Sequence, residues 1–247
     1  MPAYEEIANR QAELIRKALA GSVFVAPIAA PLPERLTSGR DAELVPLPQG
    51  YGDLGWISKE DGVNWVRETE VSEVTSWGAW EPTRRDIQSD VTEMTVIAQE
   101  TNLRTLGMYN NTDLSKVRAN PETGEVSFAT AVRPATQYWR IFAVFADGAG
   151  EDTIYVGRLL PRAMVSEVGE QVWTDGEDDP VAYEMTLTAT RDSAAGFSIR
   201  HFFGGPGWRK LLTRMGFAPD EPVPPAPWPT PIHQHGIGIT ATVTRAA

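Results

Sequence analysis

Apolar and polar residues alternate at every second position in several segments, the pattern of β-strands with one buried face. Val181 to Thr190 alternates without interruption, which predicts a half-buried antiparallel strand. Val91 to Ala98 places three apolar side chains on one face, although Ile97 falls on the other. Tyr138 to Phe145 is apolar on nearly both faces, as a central buried strand would be. The dominant pattern predicts a mainly β protein.

In three other segments apolar residues recur at three- and four-residue steps, the period of an amphipathic helix. From Tyr4 to Ala20 the acidic residues lie near the start and the basic residues near the end, which suits the helix dipole. Asn102 to Tyr109 follows a polar cap at Thr101 or Asn102. Pro206 to Met215 begins with proline, which is favoured in a first helical turn. We predict three short helices.

Proline interrupts the pattern near both ends of the chain. Val23 to Gly50 has little periodicity and is interpreted as an extended arm with one strand at Glu43 to Val45. Pro219 to Pro231 holds seven prolines in thirteen residues and predicts a stiff connector. Gly236 to Thr244 alternates again, and a lone strand must pair with a sheet edge of its own domain or of a neighbour. The predicted domains are a helix and arm over residues 1–50, a β domain over 51–216 and a proline-rich arm with a final strand over 217–247.

Composition narrows the class of protein. With 247 residues and 42% hydrophobic content, the chain can bury a substantial core. Because it has no cysteine, a disulfide scaffold, thiolate metal sites and a cysteine nucleophile are excluded. Its formal net charge of -11 argues against a dedicated nucleic-acid binder, since duplex affinity comes mainly from Lys and Arg.

The uncharged run from Ala18 to Pro33 has the apolarity of a signal-peptide core. The segment before it mixes acidic and basic residues, whereas secretion signals begin with a positive region. Three prolines in the run break any helix, and it is too short to cross a bilayer. We therefore expect neither a signal peptide nor a membrane span there.

The best candidate for a metal site is a pair of histidines near the end of the chain. His233 and His235 are spaced so that two imidazoles on one strand would face the same side. However, the remaining histidine is His201, and the residues after the pair add no ligand. We interpret the pair as a solvated turn before a strand and predict no metal site.

Other chemical signatures are weak or absent. The acidic run Glu177, Asp178 and Asp179 lacks the spacing of a calcium loop and is interpreted as an exposed turn. No G-x-S-x-G, Gly-rich phosphate loop or H-E-x-x-H motif occurs, and the glycines from Phe203 to Trp208 suit a tight turn into a helix. The 33 acids leave a carboxylate-based hydrolase open, and the eight tryptophans leave a secreted sugar-binding β-sandwich open. No catalytic residue and no cofactor is predicted.

The stretch from Gly52 to Tyr109 is the most informative part of the chain. It holds a short strand running into a Lys-Glu-Asp-Gly turn, a strand region with a tryptophan, and a strand leading into Glu-Thr-Asn. This order resembles the major tail protein, or tail tube protein, of long non-contractile tailed bacteriophages. The matching positions are Leu54, Gly55, Ile57, Asp61, Gly62, Val63, Trp77, Glu100, Thr101 and Asn102.

The resemblance implies a fold and a function. The fold is two packed antiparallel sheets, a β-sandwich or partial barrel, flanked by a helix. The function is that of a structural virion protein rather than an enzyme: six copies close into a ring, and rings stack into the tube through which DNA is ejected. The inner sheets of the six subunits would merge into one barrel, which removes their exposed edges.

The resemblance also implies roles for two groups of residues. A ring-stacking loop is expected over Trp77 to Asp90, because at roughly ten residues the Trp80 to Asp90 connection is longer than a usual hairpin turn. Its residues are Trp77, Trp80, Glu81, Arg84, Arg85, Asp86 and Asp90. The expected lumen-lining acids are Glu68, Glu70, Glu73 and Glu93.

Partners and location follow from the same resemblance. The protein would bind further copies of itself, the tape measure protein, and tail tip and terminator proteins. An acidic wall would let DNA pass without binding it specifically. The expected location is the virion tail, after synthesis in the host cytoplasm, with no membrane partner.

Overall fold

Within the residues that the structure describes, the chain is built from ten β-strands and two short helices. The structure is a computed structural model and describes Tyr4, Ala8 and residues 10–175 and 180–217. The strands are β1 (Ala20–Pro27), β2 (Thr37–Ser38), β3 (Glu43–Leu44), β4 (Gly52–Asp53), β5 (Val63–Val74), β6 (Arg84–Ala98), β7 (Trp139–Asp147), β8 (Ile154–Val168), β9 (Tyr183–Ala189) and β10 (Arg200–Gly204). The helices are α1 (Leu103–Tyr109) and α2 (Pro206–Leu211), and short 3-10 turns lie at Ala12–Leu14 and Gly150–Asp152.

The chain separates into two compact units. The first unit, Met1–Leu211, contains every strand and helix named above. The second unit is Leu212–Ala247, of which the structure describes residues 212–217.

Strand β8 joins two halves of one large antiparallel sheet. The strand order is β4-β1-β7-β8-β9-β6-β5, and β10 also pairs with β8. Up to Ala163 the strand pairs with β7 and β10, and from Ala163 onward it pairs with β9. Register irregularities mark both stretches, opposite Trp139–Ile141 and between Val165 and Glu167. Such irregularities bend a strand and increase its twist.

The two halves of the sheet face each other across the main hydrophobic core. Val23 of β1 and Ile141 of β7 share this core with Met94 of β6 and Leu187 of β9. Because β8 and β9 separate β7 from β6 in the sheet, these side chains can meet only if the sheet folds over at β8. The molecule is therefore a β-sandwich, which confirms the expected mainly β fold of two packed antiparallel layers.

A smaller apolar cluster covers the outer face of the β1-β7 half. Phe142 and Leu159 are buried there together with Leu36, which belongs to the chain segment that connects β1 to β4. The small β2-β3 pair belongs to the same segment. Residues 28–51 therefore pack on their own sheet, and the strand predicted at Glu43 to Val45 is observed as β3.

The elements with the clearest periodicity are confirmed. Strand β9 alternates buried and partly buried residues along its whole length. Strand β7 lies between β1 and β8, as predicted for a strand that is apolar on both faces. The last eight residues of β6 bury Met94, Val96 and Ala98 on one side. Helix α1 begins after Asn102, and α2 begins at Pro206 but ends at Leu211.

The N-terminal helix prediction is wrong from residue 10 onward, although Tyr4 is helical. Only Ala12–Leu14 forms a 3-10 turn between residues 10 and 19, and β1 begins at Ala20. Two apolar positions of the predicted helical face, Ile15 and Leu19, are 76% and 60% exposed. The following residues pair with β7 instead, because Val23 and Val25 are β-branched and complete the core.

The predicted arm after this helix must be corrected for the same reason. Its first residues, which also belong to the run tested as a signal-peptide core, form the sheet strand β1. The domain boundaries predicted at residues 50 and 216 stay predictions.

Several predicted features lie outside the described residues. These are the Pro219 to Pro231 connector, the strand from Gly236 to Thr244, the histidines His233 and His235, and the acids Glu177, Asp178 and Asp179.

Candidate assembly surface

Strands β5 and β6 form a long hairpin that projects beyond the sandwich. They pair from Val63 with Val96 at the base to Val74 with Arg84 at the tip. Strand β9 pairs with β6 only from Glu93 to Ala98. Residues 67–74 and 84–92 therefore pair only with each other among the described residues, and we call this two-stranded part the ribbon. Its eight residues along β5, at about 3.3 Å each, give it a length of about 26 Å.

A bulge divides this ribbon. Glu70 pairs with Ser89, whereas the next residue, Val71, pairs with Ile87, so Gln88 is an extra residue in β6. A bulge increases the local twist and resets which side chains face which side. Faces along the ribbon must therefore be counted from β5, which runs through without an extra residue.

One face of the ribbon continues the core side of the sandwich, and we call it the core-side face. Val63 and Trp65 pack against the core, so alternation along β5 places Arg67, Val71 and Glu73 on this face. Val71 and Ile87 form an exposed apolar pair, with exposed fractions of 49% and 69%.

Two ion pairs flank this apolar pair on the core-side face. Arg67 lies 2.6 Å from Asp90 on one side, and Arg85 lies 2.7 Å from Glu73 on the other. The hydrogen bond from Arg67 lowers the pKa of the Asp90 carboxyl below its usual value. The core-side face thus carries balanced charge around an apolar centre.

The opposite face, which we call the polar face, is acidic and rich in hydroxyl groups. Glu68 and Glu70 lie on it in the ribbon, and Glu93 lies on it at the base, opposite Val66. Ser89 Oγ donates to Glu70 at 3.0 Å, and Thr188 Oγ1 donates to Glu93 at 2.8 Å. The predicted lumen acids therefore divide: three share the polar face, and Glu73 lies on the other.

The polar face continues from the ribbon across the sandwich. Thr95 and Thr186 hydroxyls lie 3.0 Å apart, and the Thr188 and Ser166 hydroxyls lie 2.8 Å apart. Glu184 alternates with the buried Tyr183 and Met185 and so belongs to the same face. The prediction missed Glu184, although the alternation of β9 contained the signal.

The connection at the tip of the hairpin is shorter than predicted. It spans residues 75–83, so Arg84, Arg85, Asp86 and Asp90 are strand residues of β6. These positions were interpreted as a loop because both ribbon faces are exposed and the bulge breaks the alternation. Trp77, Trp80 and Glu81 do lie in the connection.

The tip is ordered by its own hydrogen bonds and displays two tryptophans. Ser76 and Thr83 hydroxyls lie 2.8 Å apart, and Thr83 N donates to the Val74 carbonyl at 2.8 Å. Trp77 and Trp80 are 106% and 102% exposed. The tip therefore holds two large apolar side chains fully in solvent.

Arg158 and Trp65 contact each other at the base of the ribbon. The Arg158 guanidinium stacks over the Trp65 ring at 4.7 Å, and burial lowers its pKa. His201 pairs with Arg158 across β10 and β8, and burial, Arg158 and Arg67 lower its pKa. His201 is thus an exposed residue of β10 that lies beside basic groups.

The family-motif residues around α1 form a structural brace. Asn102 caps α1 by accepting from Arg104 N and Thr105 N at 3.0 Å, and its Nδ2 donates to the Leu54 carbonyl at 2.8 Å. Thr101 and Tyr183 hydroxyls lie 2.8 Å apart. Leu54 itself is fully buried.

The turn before β5 is fixed by the remaining motif residues. The Glu100 carboxylate accepts from Trp56 N at 2.9 Å, and Ile57 bridges to Ala98. Ser58 Oγ donates to the Asp61 carboxylate at 2.6 Å, and Gly62 has a φ of 59° that leads the chain into Val63. These contacts hold the turn in place, and the scaffold role of the motif residues stays a prediction.

No group of three or more His, Asp or Glu side chains that could hold a metal ion occurs among the described residues. None of the helices in that part is both long enough and apolar enough to span a bilayer.

Comparison with known proteins agrees with the geometry. A search of curated proteins found no match. The family model for phage tail tube proteins matches residues 8–197, which includes most of the segment predicted to be an N-terminal arm. The chain belongs to the phage tail tube protein family and is a structural, mainly β protein of the virion tail that self-assembles into a tube.

Proposed function

We propose that six copies close into a ring, that rings stack into the tail tube, and that DNA passes through this tube into the bacterial host. Family membership supports tube assembly, and the finer claims concern how the tube is built. The observation that carries them is a four-stranded layer with one buried face and one acidic, hydroxyl-rich face.

Ring closure is supported by the outer edge of β5. This strand has twelve residues, pairs with β6 on one side and has no described strand on the other. A long open edge is a template for pairing with another chain, and closure into a barrel removes it. The partner in this proposal is the β8-β9 side of the adjacent subunit in the ring.

The lumen is assigned to the polar face. Glu68, Glu70, Glu93 and Glu184 would line it, together with the hydroxyls of Thr186 and Thr188. At physiological salt, charge acts over about 8 Å, so this wall repels only DNA that comes close. Lys or Arg on such a wall would form phosphate contacts along the whole tube and would retain the genome.

The residues at the tip and on the core-side face would connect rings. In this proposal the tip residues Trp77, Trp80 and Glu81 contact the next ring, and the strand residues Arg84, Arg85, Asp86 and Asp90 support the ribbon. Glu73 is moved from the lumen set to this group because it pairs with Arg85.

Further partners follow from the same function. The tube would enclose the tape measure protein and would end at tip and terminator proteins. The segment over residues 217–247 would contact neighbouring subunits, and synthesis would take place in the host cytoplasm.

Electron microscopy of the concentrated purified protein tests the proposal. Six-fold rings or hollow tubes of uniform diameter are the expected result. A protein that stays monomeric at every concentration, or that forms solid fibres without a lumen, would contradict it.

A further inference from the structure

A second group of exposed apolar residues, two of them tryptophans, lies at the base of the β5-β6 hairpin. Trp56 is 79% exposed, Trp173 is 82% exposed and Val172 is 61% exposed. We call these three residues the base patch. Neither the hydrophobic pattern nor the family motif had assigned them a role.

The backbone and polar groups around the base patch are held in place. Trp56 N donates to Glu100 at 2.9 Å, and the Trp56 carbonyl accepts from Gln99 N at 2.8 Å. Trp173 Nε1 donates to Gln171 Oε1 at 3.0 Å, and Gln171 Nε2 donates to the Ala182 carbonyl at 3.1 Å. Hydrogen bonds thus hold the Trp56 backbone and the Trp173 ring, while both side chains remain largely in solvent.

The base patch and the tip lie at opposite ends of the same strands. Trp56 lies beside the Ala98 end of β6. Trp173 lies in the connection that follows Val168. Val168 pairs with Met185, which lies next to the same end of β6. The tip follows Val74 and precedes Arg84. Fourteen residue steps from Arg84 to Ala98 separate the two ends by about 45 Å.

Two copies of one chain can join through two different surfaces, one from each copy. When such a contact points along the assembly axis, it repeats from copy to copy without forming a closed ring. Self-assembly into a tube, which the family membership supports, requires such a head-to-tail contact along the tube. Two tips meeting each other would instead form a closed pair and stop growth. The tip of one copy therefore needs the base patch of another copy as its partner.

We infer that Trp77 and Trp80 of one copy pack against Trp56, Val172 and Trp173 of a copy in the next ring. The occupant of the base patch is thus a second copy of this chain. This inference rests on the proposed function and adds to it the surface that receives the tip. Aromatic side chains bury the largest areas at interfaces and tend to pair with similar residues of the partner.

Paired cysteines test the contact, because the chain has no native cysteine. Ala79 lies at the exposed tip, and Glu170 lies in the exposed connection beside the base patch. The double variant A79C/E170C, treated with a short bis-maleimide at a concentration that favours assembly, should give a ladder of covalent multimers on a denaturing gel. Each single variant should give no ladder.

A second pair covers the case in which one variant folds poorly. Lys59 is exposed in the turn after Trp56, so A79C/K59C should give the same ladder. A79C paired with K116C, an exposed position in the connection between α1 and β7, is the matched control and should give none. Circular dichroism checks that each variant keeps the β fold of the parent.

The outcomes separate the inference from the proposed function. A ladder from either base-patch pair, at least about tenfold above the control, supports the contact. Well-folded variants without a ladder, or A79C alone giving a tip-to-tip dimer, would overturn it even if microscopy shows hollow tubes. Absence of rings and tubes counts against the proposed function, whatever the gel shows.

Discussion

At the residue scale, Asn102 connects helix α1 to the turn before β5. Its Oδ1 accepts from two backbone N–H groups of the first helical turn, and its Nδ2 donates to the buried Leu54 carbonyl. Both ends of the side chain are therefore in use. A residue that only capped the helix would leave the Leu54 carbonyl to Thr105 Oγ1, which lies 3.3 Å away.

We expect Asn102→Ala to lower the free energy of unfolding by about 2 kcal/mol, because it removes a helix cap and a partly buried hydrogen bond. Urea unfolding of the dilute, unassembled protein measures the loss. The adjacent Leu103→Ala is the control, because Leu103 is 59% exposed and its truncation should change stability by less than about 0.5 kcal/mol. Equal losses for the two variants would contradict the role of Asn102.

Gly55 should tolerate substitution much less well than Gly62. Both have positive φ, at 98° and 59°, but a Cβ at Gly55 would collide with the Glu100 carboxylate, whereas nothing lies within 4 Å of one at Gly62. We expect Gly62→Ala to cost about 1 kcal/mol from backbone conformation alone and Gly55→Ala about 1–2 kcal/mol more. Urea unfolding midpoints of the two variants test this, and equal midpoints would contradict the crowding.

Asp192 predicts an acid-sensitive contribution to stability. It is 8% exposed, and hydrogen bonds from Ala195 N and Ala194 N, with Arg140 and Arg162 nearby, lower the pKa of its carboxyl. A depressed folded-state pKa stabilises the protein above the unfolded value of about 3.9, and this contribution is lost as the pH falls through the folded value. The stability advantage of the parent over Asp192→Asn, measured by urea unfolding, should therefore shrink below about pH 4. An advantage that stays constant or grows there would contradict this assignment.

At the scale of elements, the sequence predicted those strands whose alternation is enforced by burial. Strand β9 and the inner part of β6 have one face in the core, so every second residue must be apolar. Strand β7 is buried between two strands and reads as a continuous apolar run. Helix α1 was predictable from a local signal, the Asn102 cap.

The elements that were missed depend on information outside their own residues. Strand β1 follows a segment with helical periodicity, and its strand conformation depends on pairing with β7, more than a hundred residues away. The outer parts of β5 and β6 bury neither face, and an extra residue at Gln88 shifts the alternation. The alternation of β5 alone places Glu70 and Glu73 on opposite faces, whereas the faces of the outer β6 residues depend on the bulge.

The tip of the hairpin should matter for assembly and not for folding. Because Trp77 and Trp80 have no buried surface, W77A/W80A should change the free energy of unfolding by less than about 0.5 kcal/mol. It should raise the critical concentration for tube formation at least about tenfold, since loss of about 1.4 kcal/mol per contact suffices for that. Light scattering against concentration measures this.

The control variant removes other exposed apolar side chains, away from the tip. Val126 and Val132 lie in the connection between α1 and β7, with exposed fractions of 54% and 101%. V126A/V132A should leave the critical concentration nearly unchanged. If the two double variants raise it alike, the effect comes from general surface hydrophobicity and the tip has no specific role.

At the scale of the whole molecule, charge is divided between the two faces of the hairpin. The core-side face pairs its acids Asp90 and Glu73 with arginines. On the polar face, Glu68, Glu70 and Glu93 form no ion pair among the described residues, and Glu70 and Glu93 accept hydrogen bonds from hydroxyl groups. A lumen with unpaired carboxylates and a packing surface with paired charges are what a DNA conduit would require.

Reversal of the polar-face charge should slow DNA ejection without preventing tube formation. We expect phage that carries E68K/E70K/E93K to assemble tails and to release DNA more slowly, because each lysine adds a phosphate contact. Neutralisation in E68Q/E70Q/E93Q should have a smaller effect in the same direction. Ejection triggered in vitro and followed with a DNA-binding dye measures both, and normal kinetics for the lysine variant would exclude these acids from the lumen.

The alternation of side chains on either side of the Gln88 bulge limits how the length of the hairpin can change. Adding two residues to each strand of the ribbon would lengthen it by about 6.6 Å and keep every side chain on its present face. Adding one residue to each strand would invert the faces beyond the insertion and turn the Val71-Ile87 pair toward the acidic side. In the proposed stacking, the axial repeat of the tube would therefore change during evolution only in increments of two residue pairs, unless another bulge restored the alternation.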